Sequence, residues 1–259
     1  MIALPASAGF TPPSPADFWQ PLIGDGAFAV TRPMVVMVLT TAAICLVLVL
    51  ATKKLSLVPS RGQWALEGVY GLVRNSVGRD IIGAARVRPY IGFLFAIFTL
   101  VLVNNLMGIT PVVQYPTFSR IGFPIVLAIA VWLVYIAAHV RHNGVGGTLK
   151  HLVPPGLPFA AVPVVFVLEL LTFLVIRPLT LALRLFGNMF AGHMLLLLFA
   201  LGGEYMLLHG GFPLNVVALP TFLIYFFLTA FEILISFLQA YVFVLLTSLY
   251  IAEVYAGDH

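Results

Sequence analysis

A single arginine stands near the centre of a long apolar run in the C-terminal half of the chain. The run extends from about 163 to 208 and contains Arg184. At helical rise it is about 65–70 Å long, against a bilayer hydrocarbon core of about 30 Å. Arg184 is too far from either end to reach a lipid headgroup, and a charge at the bilayer centre costs at least about 2.5 kcal/mol. Such a side chain must face protein or water, which makes it a candidate functional residue.

Other polar residues flank this arginine on the predicted helix. At about 100° per residue, Arg177, Asn188 and Glu169 project within about 60° of the arginine. His193 projects from the opposite side of the helix. The helix therefore carries two polar surfaces at different depths, with Arg184 between them.

The last apolar segment, at about 213–255, carries a matching stripe. Mostly polar or hydroxyl-bearing residues recur there at steps of three or four: Tyr225, Thr229, Glu232, Ser236, Gln239, Phe243, Thr247, Tyr250 and Val254. Two long antiparallel helices joined by a short loop must pack together, so Glu232 is a candidate partner of His193. By the same argument Gln239 is a candidate neighbour of Arg184. In a low dielectric a His–Glu pair shares a proton or becomes hydrated, which suits a proton relay.

Simple packing is the alternative for several of these residues. Arg177 precedes Pro178 and is equally compatible with an anchor at the membrane interface. Ser236 is typical of close helix packing, and Asn188 of an interhelical hydrogen bond.

Composition places the whole chain in a membrane. Hydrophobic residues make up 61% of it and charged residues 8%, and the mean hydropathy is +1.09. Long continuous apolar runs exclude a β-barrel, whose strands alternate in hydrophobicity, so we expect an all-α polytopic membrane protein. The net charge of +4 reflects basic loops that report membrane orientation, and it is not a nucleic-acid signal.

Five apolar segments are long enough to span a bilayer, at about 33–51, 89–110, 121–140, 163–208 and 213–255. The last two are about twice as long as a perpendicular span, which requires strong tilt or kinks at Pro178 and Pro220. We expect residues 1–32 to form a Pro-rich, mostly irregular outer leader and residues 33–259 a single membrane domain. The amphipathic pattern at about 61–85 predicts an interfacial helix, and a helix packed on other subunits is the alternative.

The distribution of basic residues predicts the orientation of the chain. Seven Lys and Arg lie in the 52–88 loop and two in 141–158, but only one in 111–120 and none in 203–212. The positive-inside rule therefore places the N-terminus outside and the C-terminus in the cytoplasm.

Three sequence strings resemble subunit a of F-type ATP synthases. They are LALRLFGNMFAGH at 181–193, EILISFLQAYVFVLLTSLY at 232–250, and NNLMG at 104–108 followed by Pro111. The two C-terminal strings occur in the order and separation of that family, and the resemblance covers most of 34–255. Glycine stands at position 108, where some members of the family have an aspartate. The order His193 then Glu232 is that of mitochondrial-type sequences, whereas some bacterial members exchange the acid and the histidine.

The resemblance implies a stator subunit with no cofactor and no catalytic site of its own. It would hold two offset aqueous half-channels against a rotating ring of c subunits and couple the proton-motive force to ATP synthesis in an energy-coupling membrane, such as the bacterial plasma membrane. Its implied partners are the c-ring carboxylates that face Arg184, the peripheral-stalk b subunits, the other ATP synthase subunits and the lipid bilayer. The matching outer or arginine-flanking positions are Asn188, His193, Glu232 and Gln239. The matching inner positions are Glu169, Arg177, Thr180 and Tyr250.

Two other classes of function remain open at this stage. One is a stand-alone ion channel or secondary transporter with a charged site, although no inverted repeat is visible. The other is a non-transporting membrane scaffold whose buried charges pair with one another. The sequence shows no Ser/His, metal-ligand or paired-carboxylate constellation and no Gly-rich nucleotide loop, which argues against an enzyme and places ATP chemistry in partners. The His193/Glu232 pair favours protons over sodium as the coupling ion.

Overall fold

The computed structural model describes residues 10, 12–18, 21–24, 29–53, 56–110, 115–153, 158 and 161–255. Seven α-helices account for most of this part of the chain: α1 (Arg32–Thr52), α2 (Arg61–Leu72), α3 (Ile91–Ile109), α4 (Gly122–His151), α5 (Val162–Leu171), α6 (Arg177–His209) and α7 (Gly211–Ala252). Two π-helical segments, Val73–Ile82 and Thr172–Ile176, follow α2 and join α5 to α6. The remaining described elements are three 3-10 turns, Pro15–Phe18, Thr117–Ser119 and Glu253–Tyr255, and one antiparallel strand pair, β1 (Pro21–Ile23) with β2 (Val30–Thr31).

Five helical units are long and apolar enough to cross a membrane. They are Arg32–Thr52, Ile91–Ile109, Gly122–Lys150, Val162–His209 and Gly211–Tyr255. The predicted all-α polytopic membrane fold is therefore confirmed, and the protein is an integral membrane protein.

The structure differs from the predicted bounds in two places. The third span was expected to end near 140, but α4 continues to His151, with non-helical backbone at Gly144 (φ 68°, ψ 171°). That φ value lies in the left-handed region that favours glycine, so a kink at Gly144 separates two helical stretches of α4. The helix expected at about 61–85 changes from α to π geometry at Val73 and ends at Gly83, where φ is 97°.

The amphipathic pattern of that segment buries one face inside the protein. Val73, Val77 and Ile82 are buried, and the π-helical segment packs against α7 and α3. Trp64 on α2 stays largely exposed. Its location at a membrane interface remains a prediction.

The described part of the leader is not wholly irregular. Phe18 is buried, with its ring edge-on to that of Phe190 at 6.4 Å between centroids. Arg120 donates a hydrogen bond to the Thr31 hydroxyl at 3.1 Å, which ties the end of β2 to the turn before α4. The rest of the predicted leader lies outside the described residues.

The antiparallel pair of α6 and α7 forms the centre of the fold. Helices α3 and α4 pack against this pair, whereas α1 buries only Pro33 and Thr40. The expected departure from regular geometry near Pro178 occurs just before it, in the π-helical segment Thr172–Ile176. Proline has no N–H for the i→i−4 bond, and a π turn is a common way to accommodate that loss. The Tyr135 hydroxyl donates to the Phe173 carbonyl inside this turn, at 2.5 Å.

Candidate functional site

Three polar contacts join α6 to α7 along their length. The contacts are Arg177 with Glu253, Asn188 with Gln239, and His193 with Glu232. Each step forward along α6 is matched by a step backward along α7, as antiparallel packing requires. The side chains that the sequence placed on facing surfaces therefore lie opposite one another.

The His193–Glu232 contact is buried on both sides. The Nδ1 atom of His193 lies 3.7 Å from Oε1 of Glu232, and both side chains are less than 9% exposed. The same Nδ1 lies 3.0 Å from the Met189 carbonyl oxygen. Because a carbonyl only accepts, Nδ1 donates in that hydrogen bond. The other ring nitrogen, Nε2, is buried and faces Gly108 of α3.

Two glycines make room for this pair. A Cβ atom at Gly108 would lie 2.5 Å from Nε2 of His193, and a Cβ atom at Gly192 would lie 2.4 Å from Oε2 of Glu232. Both distances are far below van der Waals contact, so any larger residue would displace the imidazole or the carboxyl group. The absence of a side chain at Gly108 therefore leaves the space that the His193 imidazole occupies.

The second contact links the two amides. Asn188 donates from Nδ2 to Oε1 of Gln239 at 2.6 Å, and Gln239 is buried. The sequence suggested Gln239 as a neighbour of Arg184, but its hydrogen bond goes to Asn188, one turn further along α6. This contact closes the space between the two helices at that level.

Arg184 is exposed and stands between two of these contacts on α6. It forms no hydrogen bond and no ion pair with any residue that the structure describes. The part of α7 at its level, between Gln239 and Glu253, contains the fully buried Phe243 and Val244. The guanidinium is therefore exposed and has no counter-charge among the residues that the structure describes.

Arg177, by contrast, is neutralised within the chain. Its Nη1 and Nη2 atoms contact Oε2 and Oε1 of Glu253 at 2.5 and 3.0 Å. Its guanidinium carbon also lies 5.1 Å from the centre of the Tyr250 ring and 5.5 Å from that of Phe173. The sequence placed Arg177 and Tyr250 at the same end of the pair, but it missed Glu253. The available signal was its position three residues beyond Tyr250, on the same face of the helix.

The remaining two candidates lie near the same end of α6. Thr180 is exposed, and its hydroxyl donates to the Arg177 carbonyl at 3.0 Å. Glu169 is half-buried in α5 and makes no hydrogen bond or ion pair to a described residue. The π-helical segment lies between Glu169 and Arg184 and changes the helical phase. The angle of about 60° expected between them holds only for a regular α-helix.

A cleft opens between α6 and α7 beside the buried carboxyl group. It has a volume of about 250 Å³, and its polar lining comes from Asn188 and Glu232. The apolar lining consists of Ala191, Gly192, Leu195, Leu196, Leu228, Phe231 and Ile235. Such a volume is large enough for several water molecules beside the carboxyl group. No group of three His, Cys, Asp or Glu side chains suited to a metal ion occurs in the described ranges.

The sequence of this chain matches known proteins along most of its length. The family described as ATP synthase A chain matches residues 34–252. A protein named ATP synthase subunit a from a Nocardioides species is 43% identical over 263 residues, covering 97% of this chain and 95% of the relative. Relatives of the same name are 38% identical in Pseudarthrobacter chlorophenolicus (100% and 99% covered) and 35% identical in Streptomyces lividans (97% and 90% covered). The resemblance predicted from the motifs is confirmed, and the chain belongs to the ATP synthase A chain family.

Proposed function

We propose that this chain is the stator subunit that carries protons through the membrane sector of an F-type ATP synthase. Protons would pass through two offset half-channels against a rotating ring of c subunits, and their flow would drive ATP synthesis by other subunits. The observation that carries this proposal is Arg184, a charge on the surface of a membrane-spanning helix with no ion-pair partner in the described chain. A counter-charge must come from another molecule, and a ring of carboxylates supplies one repeatedly as it turns.

A fixed guanidinium performs two tasks in this scheme. It favours the ionised form of a carboxylate brought beside it, so each ring carboxylate releases its proton near Arg184. It also repels a hydrated proton that would cross directly between the half-channels. Lysine is a poor substitute, because a buried ammonium group is able to lose its proton whereas a guanidinium is not.

The outer half-channel is assigned to the cleft beside Glu232. The Glu232 carboxyl group and the His193 imidazole provide two titratable groups close together, with Oε1 and Nδ1 3.7 Å apart. Asn188 and Gln239 close the gap between the helices near Arg184, which separates this path from the other side. The presence of the imidazole favours protons over sodium ions as the coupling ion.

The inner half-channel is assigned to the opposite end of α6. Glu169 and Thr180 would line it, and Arg177 with Tyr250 would form its wall. With the N-terminus outside and the C-terminus in the cytoplasm, this end faces the cytoplasm of a bacterial plasma membrane. Peripheral-stalk b subunits would hold the chain against rotation, and ATP chemistry would take place in other subunits.

Substitution of the central arginine tests this function. We expect Arg184→Ala to abolish ATP-driven proton pumping by the reconstituted complex while assembly continues, since the side chain is exposed and forms no hydrogen bond or ion pair with a described residue. The control is Arg74→Ala, which removes an equally exposed arginine from the π-helical segment after α2. Normal pumping by the Arg184→Ala complex contradicts the proposal. Proton flux through the isolated chain in liposomes, without a ring, would favour a stand-alone channel.

A further inference from the structure

We propose that Arg177 and Glu253 form a clasp that positions Arg184 and keeps water from passing it at the inner end. The proposal rests on the proposed proton-translocating function and adds a role for Glu253, which is not a member of the polar stripe at Tyr225 to Val254. Both residues would be positioning residues and would not carry protons.

The geometry of the clasp is that of a strong ion pair. Two parallel hydrogen bonds join the guanidinium to the carboxylate, at 2.5 and 3.0 Å. Bidentate pairing of this kind fixes both the distance and the orientation of the two groups. The Arg177 side chain is only 13% exposed, and the rings of Phe173 and Tyr250 confine it further. The clasp therefore has one geometry, unlike a mobile surface pair.

The backbone turn that carries the partner carboxylate is held in place by neighbouring elements. Glu253 opens the 3-10 turn Glu253–Tyr255, which three contacts secure. The Tyr255 hydroxyl lies 3.1 Å from that of Tyr90, the Tyr255 ring lies 4.7 Å from the Arg86 guanidinium carbon, and the Val254 carbonyl accepts from Asn143 at 3.4 Å.

The anchored turn forms a junction between several elements. Burial, with a smaller contribution from the hydrogen bond to Tyr255, raises the pKa of Tyr90 to about 12, so its hydroxyl stays protonated and available for that bond. The turn thus links α6, α4 and the segment before α3 to the end of α7.

Arg184 is placed between two such ties. It follows Arg177 by two helical turns and precedes Asn188 by one. The Asn188–Gln239 hydrogen bond holds the helices together on one side of the arginine, and the clasp holds them on the other. Without the clasp the inner ends of α6 and α7 are free to separate, and water gains access to the level of Arg184. Protons would then leak past the arginine without turning the ring.

The test measures proton leak and coupling in the complete complex in vesicles. We expect Arg177→Gln and Glu253→Gln each to raise the decay rate of an imposed pH gradient severalfold and to lower the number of protons pumped per ATP hydrolysed. The charge-swapped double variant, Arg177→Glu with Glu253→Arg, should recover much of the coupling, because it restores the ion pair. Arg74→Gln is the matched control, since Arg74 is exposed and lies outside the clasp.

The outcomes separate this inference from the function on which it rests. Wild-type leak and wild-type coupling in both single variants would overturn the clasp, even if Arg184→Ala still blocks pumping. A double variant no better coupled than either single variant would also overturn it. If Arg177→Gln fails to assemble, Glu253→Gln decides the matter alone, because Glu253 is 46% exposed at the end of its helix and tolerates a neutral amide of the same shape.

Discussion

The carboxyl group of Glu232 and the imidazole of His193 owe their close approach to two residues without side chains. Gly192 lies directly against both carboxyl oxygens, and Gly108 lies against the imidazole. The two side chains therefore occupy space that a Cβ atom at either glycine would fill. Their closest approach is 3.7 Å, between Nδ1 and Oε1, which is slightly longer than a hydrogen bond, so a small displacement brings the two groups within hydrogen-bonding distance.

Substitution of Gly192, the glycine beside Glu232, tests the effect of adding one methyl group next to the carboxylate. Gly192→Ala would place a Cβ atom 2.4 Å from Oε2, so the flexible carboxylate must move away from His193. We expect proton pumping to slow about tenfold, which corresponds to a barrier higher by about 1.4 kcal/mol. Gly187→Ala is the control, because a Cβ atom at that glycine meets nothing within 4 Å. Equal pumping rates in the two variants would show that the position of the carboxylate does not matter.

The sequence predicted these side chains but not the neighbouring residues that hold them. Arg184 was predictable because a charge in an apolar run is conspicuous, and the His193–Glu232 pairing followed from helical phase and antiparallel packing. The roles of Gly108 and Gly192 were not predictable, because the space that a glycine leaves has no signature in one chain. Glu253 was missed because its partner lies 76 residues away on another helix.

The polar stripe of α7 shows that sequence periodicity predicts which face of a helix is buried. Its central members Glu232, Ser236, Gln239, Phe243 and Thr247 are all buried, as a helix with one face against its neighbours requires. The π-helical segments were not predictable, since a π turn depends on contacts such as that of Tyr135 with the Phe173 carbonyl. The extension of α4 past Gly144 likewise escaped prediction, because glycine usually ends a helix.

Substitutions of two residues of that stripe distinguish a role in proton transfer from a role in helix packing. Glu232 and Ser236 lie one turn apart and are both buried, but only Glu232 borders the cleft and His193. We therefore expect Glu232→Gln to slow proton flux through the complex much more than Ser236→Ala does. The measurement is ATP-driven acidification of vesicles at equal amounts of assembled complex. Equal fluxes would assign Glu232 to helix packing.

At the scale of the whole molecule, the described helices leave much apolar surface uncovered. Helix α1 is buried at only two positions, and many large apolar side chains of α6 and α7 are exposed. Lipid satisfies such surfaces, but it does not satisfy an exposed arginine such as Arg184. Arg184 has no counter-charge among the described residues, which is why we propose that a neighbouring subunit supplies one.

Identification of the subunit that lies beside Arg184 tests the proposed function most directly. Leu183 adjoins Arg184 and is 45% exposed, so Leu183→Cys provides a thiol at the required depth once the native Cys45 is replaced by alanine. Disulfides form only when the two Cα atoms lie within about 7 Å. In oxidised membranes that contain the assembled complex, we predict a cross-link to a cysteine placed one turn from the membrane carboxylate of the ring subunit. The proposed function would be contradicted if the thiol at position 183 forms no cross-link and reacts with a lipid-soluble maleimide equally fast with and without the ring.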